Sequence, residues 1–414
     1  MNKNRKSAKQ RKASAAAGEL DTREFLLDVV IGEGLKAVYG LLAESVVELC
    51  GPRHSRRETE APRRWGSQGG ELVLGGRRVK LMRPRVRQGG REVVVPAYAR
   101  FQDEDPLHER ALEQMLVGVS TRKYRRSLES FPGVEASGTS KSAVSRRFVA
   151  ATAKRLATLL GKSLLGIEWV AVMIDGLRFG KHVIVVALGI DAQGYKHVLG
   201  LRAGATENAT VCKDLLVDLR ERGLPDDRHL LFVLDGAKAL RKAVRDVFGD
   251  RALVQRCQVH KQRNVTEYLP DSLRPRIAAA LGQAWRADQH ELARRQLQNL
   301  ANTLAEDHPS AAASLREGLE ETLTVKRLGL HGRLERTLAT TNPIENLNGS
   351  VRRVAGRVRR CRSGKMALRW VAAALLEAEQ GFRRIRGYRD LPKLVAALRA
   401  LDSTGQVAKL SKAG

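Results

Sequence analysis

The chain has 414 residues, with 74 Lys and Arg against 45 Asp and Glu, which gives a formal net charge of +29. This length predicts about two to four domains, and a hydrophobic fraction of 43% excludes wholesale disorder. No apolar run approaches the ~18 residues of a membrane span, and the first residues lack the apolar stretch of a secretory signal. Four widely spaced cysteines exclude a disulfide scaffold and favour a reducing cytoplasm.

The positive charge is clustered, which indicates a polyanionic partner. Residues 1–17 carry six Lys and Arg and no acid, and residues 351–369 carry eight and again no acid. Because cations that neutralise phosphates release counterions, nucleic acid is the expected partner, and a merely basic surface is the alternative. Aromatic residues make up only 4% of the chain, which disfavours a base-stacking platform and favours contact with a duplex backbone.

The first 165 residues divide into a basic, disordered tail over 1–20 and a mostly helical region over 21–165 that is assigned to DNA binding. Apolar spacing and turn residues predict several simpler elements within this region. In chain order they are a helix over 21–50, a linker over 51–70, a hairpin turning at Gly75-Gly76, and a strand over Glu92–Val95.

Two segments between residues 107 and 160 resemble a helix-turn-helix. One begins at Ser120 and the other at Ser140, and each follows its N-cap-type serine with Lys and Arg in the first two turns. In this motif the second helix enters the major groove. The connection from Phe131 to Thr139 is longer than the usual turn, and two ordinary basic surface helices are the alternative. The residues assigned to DNA contact are Arg122, Lys123, Lys141, Ser142, Ser145, Arg146 and Arg147.

The centre of the chain changes to strand periodicity. Apolar runs over Trp169–Ile174, Val183–Ile190 and Gly194–Leu201 predict an antiparallel meander. A helix over 208–222, a strand over 230–234, a helix over 237–248 and a strand over 252–257 follow. The order β-β-β-α-β-α-β is that of an RNase H-like core, whose first part we place at 166–268.

The rest of the chain is predicted to be helical. Ala and Leu stripes over 269–335 predict an all-helical insertion, after which the core resumes over 336–386 and a C-terminal tail with a short helix follows over 387–414. The predicted fold class is therefore an α/β RNase H-like catalytic core with an all-helical insertion, preceded by a mostly helical N-terminal DNA-binding region.

Two aspartates, Asp175 and Asp235, each follow an apolar strand. The first and fourth strands of such a sheet lie side by side, so we expect the two carboxylates to be close and to need a cation such as Mg²⁺. Glu345 on a following helix would complete a two-metal site. Each residue also has a structural alternative: a turn at Asp175, an N-cap at Asp235, and a capping box for Glu345 with Asn342 as N-cap and Pro343 at the first helical position.

The chain resembles the Mutator-type bacterial insertion-sequence transposases of the DDE class, from about Trp65 to Tyr388. The stretches that carry the resemblance are Met173–Gly176, Val198–Leu201, Leu234–Gly236, Gln255–Asn264 and Thr341–Asn348. The resemblance places the family's catalytic, metal-binding carboxylates at Asp175, Asp235 and Glu345. It implies DNA cleavage and strand transfer with two Mg²⁺ or Mn²⁺ ions, terminal inverted repeats and target DNA as double-stranded partners, a homodimer or larger assembly near the nucleoid, and no membrane.

Five further residues are candidates near this site. Cys257 and His260 form half of a zinc-ligand set, but we favour a structural role in which Cys257 packs at a strand end and His260 supports the carboxylates. Trp285 is either a core residue or, by resemblance to transposases with helical insertions, a side chain that stacks on a distorted base. Arg352 and Arg353 lie two turns beyond Glu345 on the same predicted helix and are expected to clamp the cleaved strand.

Two other functions remain open from the sequence. An RNase H-like DNA nuclease or junction resolvase would share the carboxylates but would not join strands. A catalytically inactive DNA-binding regulator would bind DNA in a salt-sensitive manner without Mg²⁺-dependent nicking.

Overall fold

A computed structural model describes residues 32–54, 60–74, 77–103, 108–128, 136–204, 209–356, 358 and 361–413. The chain divides into two compact units, one ending at Ala151 and the other beginning at Thr152. This division falls inside a helix and precedes the boundary that the sequence predicts between residues 165 and 166. The predicted tail over 1–20 lies outside the described residues.

The N-terminal unit is built on a small antiparallel sheet. Its elements are α1 (32–50), β1 (Arg63–Leu74), β2 (Arg77–Gln88), β3 (Arg91–Val93), α2 (Pro96–Asp103), α3 (His108–Leu116), β4 (Ala136–Ser137) and α4 (Lys141–Gly161), which continues into the second unit. Strand β2 pairs antiparallel with β1, β3 and β4. Burial alternates along β2, so Val79 and Leu81 pack against Val38 and Leu42 of α1 while the intervening residues face outward.

The predicted hairpin is confirmed, because Leu74 pairs with Arg77; its turn residues, Gly75 and Gly76, lie outside the described residues. The predicted linker over 51–70 is wrong in its second part, because β1 already begins at Arg63. This Arg- and Gly-rich stretch pairs along β2, so ladder hydrogen bonds outweigh its low strand propensity.

Only the second helix of the predicted helix-turn-helix is an α-helix. The Ser140 hydroxyl accepts a hydrogen bond from the Ala143 amide (3.3 Å) and so caps α4. The segment after Ser120 forms a single 3₁₀ turn over Tyr124–Ser127 instead of a helix. The Ser127 hydroxyl there lies 2.7 Å from the Tyr124 carbonyl oxygen, a local bond that competes with helix continuation. Part of the predicted connection, residues 129–135, lies outside the described residues.

The second unit contains a five-stranded mixed sheet. Its first elements are β5 (Trp169–Phe179), β6 (His182–Asp191), β7 (Lys196–Gly204), α5 (Ala209–Glu221), β8 (Leu230–Leu234), α6 (Lys238–Phe248), β9 (Ala252–Arg256) and α7 (Gln258–Glu267). The strand order is β7-β6-β5-β8-β9, with an antiparallel meander of β5 to β7 and with β8 and β9 parallel to β5. The predicted meander, and the predicted adjacency of the first and fourth strands, are confirmed.

Strand β5 is longer than predicted, and Asp175 lies within it. The antiparallel pairing with β6 continues to Phe179 and His182, whereas the parallel pairing with β8 ends at Ile174 and Leu234. The prediction that Asp175 ends its strand, or forms a turn, is therefore wrong, because β6 continues to hold the backbone. Asp175 instead lies at the first position of β5 that no longer pairs with β8.

Both faces of this sheet are covered by helices. Met173 on β5 belongs to a core shared with the last helices of the chain, whereas Val172 and Ile174 face a core formed with α5 and α6. The remaining helices are α8 (Arg274–Arg286), α9 (His290–Asp307), α10 (Pro309–Arg316), α11 (Thr324–Arg327), α12 (Gly332–Leu338), α13 (Asn342–Ala355), α14 (Gly364–Gln380) and α15 (Leu391–Ala413). Within the described residues, none of the helices has the length and apolar content needed to cross a bilayer.

The segment predicted as a helical insertion contains α8 to α11 and the first part of α12, with a 3₁₀ turn over Glu320–Leu323 between α10 and α11. Helices α8, α9 and α10 share their own core, which includes Leu281, Leu297 and Leu315. A buried lysine ties this segment to α7. The ammonium of Lys261 donates to the carbonyl oxygens of Ser314 and Glu317 at the end of α10, where a cation balances the helix dipole, and burial lowers its pKa to about 8.

The predicted C-terminal tail with a short helix is instead a long helix, α15. Leu391, Leu394 and Leu398 recur at helical spacing, and all three are buried in the core that covers one face of the sheet. Further along the same helix, the Asp402 carboxylate accepts a hydrogen bond from the His229 amide at 2.7 Å. The helix is longer than the predicted short one, because it extends to Ala413, and its apolar stripe packs against the core.

We expect Leu394→Ala to lower the free energy of unfolding by about 2–5 kcal/mol, because it leaves a cavity in a fully buried position. Urea denaturation of the full chain measures this change. Leu401→Ala, at a position that is 37% exposed on the same helix, is the matched control and should change stability much less. Equal effects of the two substitutions would contradict the packing of α15 on the core.

Candidate active site

The parallel register of β5 and β8 places Asp175 and Asp235 together, because each is the residue after the last position at which these two strands pair. Local backbone donors hold both side chains: the Gly176 amide donates to Asp175 Oδ1 and the Ala237 amide to Asp235 Oδ1, each at 2.9 Å. The N-cap of helix α6 is Ala237, two positions after Asp235, so the alternative that Asp235 is the N-cap is wrong.

Gly236 explains why a glycine follows Asp235. Its φ is +105°, a conformation that side chains rarely adopt, and a Cβ there would lie 2.4 Å from Nε of Arg256. The glycine therefore lets the chain turn away from β8 directly after the carboxylate.

Glu345 reaches the same place from the first turn of α13. The N-cap of this helix is Thr341 and not Asn342, and no side chain caps its backbone, so the predicted capping-box alternative is wrong. Instead, the Thr341 hydroxyl donates to Glu345 Oε1 at 2.6 Å. This bond uses the Glu345 carboxylate as an acceptor and helps to fix its position.

Asn348 is a residue of the site to which the sequence analysis gave no role. Its Nδ2 donates to Asp175 Oδ2 at 2.8 Å, and the side chain is fully buried. Asn348 lies three residues after Glu345, and side chains at this spacing share a helix face. One face of α13 therefore supplies a carboxylate and also holds the carboxylate of β5. The sequence offers its spacing from Glu345 as a signal, but a single asparagine on a helix is not a motif that indicates a function.

The three carboxylates are coupled electrostatically. Burial raises the pKa of Asp175, and the negative charges of Asp235 and of Glu345 raise it further, while the bonds from Asn348 and Gly176 oppose the shift. Partly buried carboxylates that repel one another favour either a proton or a cation. Their hard oxygen atoms match the ligands that Mg²⁺ and Mn²⁺ prefer, so Asp175, Asp235 and Glu345 fit a divalent-metal site.

Cys257, at the end of β9, and His260, on α7, adjoin the carboxylates. Donor atoms of Cys257, His260 and Glu345 lie within 4.8 Å of one another, and His260 Nδ1 is 3.7 Å from Glu345 Oε1. His260 thus lies beside a carboxylate of the site, and Cys257 is fully buried. Among the described residues, His290, His308 and Cys361 do not join this group.

Hydrogen bonding links these two residues to the site. The hydrogen bond with Cys257 raises the pKa of His260 against the effect of burial, and the charges of Cys257, Glu345 and Asp235 add to the increase. Burial would raise the pKa of the Cys257 thiol, but its bonds with His260 and Thr341 outweigh burial and lower it. The donor atoms of His260 and Cys257 are also close enough to that of Glu345 for the three to share a metal ion.

Trp285 is a core residue. It is 6% exposed, it packs in the core of α8 to α10, and its Nε1 donates to Thr322 Oγ1 at 3.2 Å. The hypothesis that Trp285 stacks on a DNA base is therefore wrong for this structure, because the indole is enclosed by its own helical segment.

The two arginines predicted to clamp DNA, Arg352 and Arg353, are exposed in the last turn of α13. Both lie on the same helix as Glu345, as predicted, but the basic run over 351–369 is divided between two helices, because α13 ends at Ala355 and α14 begins at Gly364. Arg357, Arg359 and Arg360 lie outside the described residues.

In the N-terminal unit, most of the residues assigned to DNA contact are exposed. Lys141, Ser142, Ser145 and Arg146 are exposed on α4, Arg147 is half-buried, and Arg122 and Lys123 are exposed before the 3₁₀ turn. These positions suit contact with a large partner, and the DNA-binding role of each stays a prediction.

Comparison with known proteins identifies the family. Residues 3–384 match the sequence model described as Transposase, Mutator family. The chain belongs to this family. The resemblance noted from the sequence motifs is thereby confirmed.

Curated relatives of this family member are transposases of bacterial insertion sequences. The chain is 28% identical over 375 residues to the transposase for insertion sequence element ISRM5 of Rhizobium meliloti, covering 87% of this chain and 92% of the relative. It is 30% identical over 243 residues to that for IS6120 of Mycolicibacterium smegmatis, covering 57% and 73%. It is 31% identical over 286 residues to that for IS905 of Lactococcus lactis, covering 66% and 69%.

Substitution of Asn348 by Ala tests the geometry of the site in this family member. The change removes the amide donor from Asp175, and loss of a residue that orients a ligand typically weakens metal binding about 10–100-fold. We expect a loss of Mn²⁺ affinity in this range, measured by calorimetric titration. Ser350→Ala on the same helix is the control and should bind Mn²⁺ as the wild type does. Wild-type Mn²⁺ affinity in a folded Asn348→Ala protein would show that Asn348 does not contribute to the metal site.

Proposed function

We propose that this Mutator-family protein is a DNA transposase of the DDE type, which cleaves DNA at the ends of an insertion sequence and transfers the strands to a new site. The observation that carries the proposal is the convergence of Asp175, Asp235 and Glu345, expressed in the raised pKa of Asp175. The names of the relatives and the net charge of +29 support DNA as the substrate.

The proposed catalytic fold is RNase H-like. The strand order β7-β6-β5-β8-β9, with three antiparallel strands followed by two parallel ones, supports this assignment. In this arrangement the two aspartates come from adjacent central strands and the glutamate from a later helix.

In the proposed reaction, Asp175, Asp235 and Glu345 would hold two Mg²⁺ or Mn²⁺ ions. When bound, the ions supply an activated oxygen nucleophile and charge stabilisation for the leaving oxygen. The side chains around them set the geometry: Asn348 orients Asp175, and the Thr341 hydroxyl orients Glu345. Water first cleaves a strand to free a 3′-hydroxyl, and this hydroxyl then attacks a phosphodiester of the target in line. Because two element ends must meet, we expect a homodimer or larger assembly on double-stranded DNA.

Two alternatives make different predictions. A nuclease or resolvase with the same carboxylates would cut DNA but would not join pre-cut ends to a target. An inactive regulator would bind DNA with strong salt dependence and would not nick it in Mg²⁺. Joining of pre-cut ends to a target distinguishes a transposase from both alternatives, and Mg²⁺-dependent nicking of intact DNA distinguishes a nuclease from an inactive regulator.

Glu345→Gln tests the metal role. Glutamine keeps an oxygen that accepts the Thr341 hydroxyl, so the start of α13 is preserved, but it lacks the charge that a cation needs. Since metal stabilisation contributes several kcal/mol to such reactions, we expect strand transfer to fall at least about 100-fold. The measurement is joining of pre-cut ends to plasmid DNA in Mg²⁺.

Unchanged DNA binding and thermal midpoint in Glu345→Gln would show that only the chemistry is affected. The charge-matched control is Glu379→Gln, because Oε1 of Glu379 accepts a bond from the Val198 amide outside the carboxylate site. This control should keep wild-type strand transfer. Normal strand transfer by Glu345→Gln would refute the DDE mechanism.

A further inference from the structure

A positively charged cleft lies in the second unit on another side of α13. We call it the basic cleft; its cavity of about 820 Å³ is lined by α12, the start of α13, the segment around residue 385 and the start of β7. Its cations are Lys196, Arg333, Arg336, Arg384 and Arg386. Among the described residues that line it there is no Asp or Glu, so the cleft concentrates positive charge.

The charges of the cleft are not neutralised internally. Within the described part of the chain, no carboxylate forms an ion pair with Arg333, Arg336 or Arg386, and all three are exposed. Arg384 is held in place by neutral groups: its Nη2 donates to the Tyr195 hydroxyl at 2.7 Å, and its guanidinium lies 4.4 Å from the centre of that ring. The cleft thus presents organised cations that still need an anion.

A buried hydroxyl adds a second, independent sign of a ligand. Thr340 lines the cleft and is 8% exposed, yet its Oγ1 has no hydrogen-bond partner among the residues that the structure describes. Buried polar atoms are normally bonded, so this oxygen favours a polar ligand or water at the cleft wall.

The cleft adjoins the carboxylates across a single helix. Asn342 and Asn346 on α13 are one turn apart and line the cleft, while Glu345 and Asn348 face the carboxylate site. A helix with its side chains is about 10–12 Å wide. An anion in the cleft is therefore about one helix width from the carboxylates.

We propose that the basic cleft binds the phosphate backbone of one DNA strand beside the three carboxylates, a proposal that rests on the proposed transposase function. Its volume suits a few nucleotides and not the width of a duplex. Aromatic faces nearby are already covered by cations, with Arg384 over Tyr195 and Tyr388 and Lys196 over Phe382. Contacts to phosphates carry no sequence information, so we expect binding in the cleft to be independent of sequence.

The double variant Arg333→Gln/Arg386→Gln tests this proposal in the full chain. Each phosphate contact contributes about 0.9 for duplex or 0.7 for single-stranded DNA to the slope of log affinity against log salt. Loss of two contacts should lower the slope by about 1.4–1.8, and to the same extent for labelled DNA probes of two unrelated sequences. Fluorescence anisotropy over a NaCl series measures the slope, with duplex and single-stranded probes compared.

The control is Arg276→Gln/Arg295→Gln, which removes the same charge from exposed positions on α8 and α9. We expect this variant to keep the wild-type slope, and all three proteins to share one thermal midpoint and one Mn²⁺ affinity. Equal slope losses in both double variants, or a wild-type slope in the cleft variant, would overturn the cleft assignment. So would competition by polyglutamate as effective as that by DNA.

The same series separates failure of the cleft from failure of the proposed function. If the wild type joins strands while the cleft variant matches it in slope, only the cleft assignment fails. If the wild type neither binds DNA in a salt-dependent manner nor joins strands, the proposed function fails and the cleft assignment fails with it.

Thr340→Val provides a test without a change of charge. Valine keeps the shape of the side chain but removes the hydroxyl, so we expect DNA affinity to fall about two- to tenfold at constant salt slope. Unchanged DNA affinity would show that the Thr340 hydroxyl does not contribute to DNA binding in the cleft.

Discussion

Mutual repulsion among three partly buried carboxylates is the interaction that determines what the site of the second unit can bind. The charges of Asp235 and Glu345 raise the cost of ionising Asp175, and neutral donors, not cations, hold two of the three in place: Asn348 for Asp175 and the Thr341 hydroxyl for Glu345. Because a neutral donor fixes geometry without cancelling charge, the site keeps its demand for a cation. The sheet, the start of α13 and the Cys257–His260 pair all serve to maintain this arrangement.

Much of the site could be predicted because its parts follow simple patterns. An apolar run that ends in Asp-Gly occurs twice, and the β-β-β-α-β order makes those two strands neighbours, as β5 and β8 are. The parts that escaped prediction depend on tertiary contacts. Asn348 is an amide with no pattern of its own, and the bond from Thr341 to Glu345 replaced a capping box that the local sequence favoured equally well.

The errors in the fold have the same origin. The segment after Ser120 has the composition of a helix start, but Ser127 bonds locally and Tyr124 packs into a small core, so one 3₁₀ turn forms. Residues 391–413 read as a tail because their polar end dominates the composition. The structure shows that a stripe of three leucines packs this helix against the core on one face of the sheet.

The position of α13 to α15 in the chain has a consequence for biosynthesis. These last helices cover one face of the sheet and include the third carboxylate, whereas the N-terminal unit is complete by residue 151. Domains emerging from the ribosome fold in order from the N-terminus. The first unit can therefore adopt its structure while translation continues, but the carboxylate site can assemble only once these late helices have left the exit tunnel.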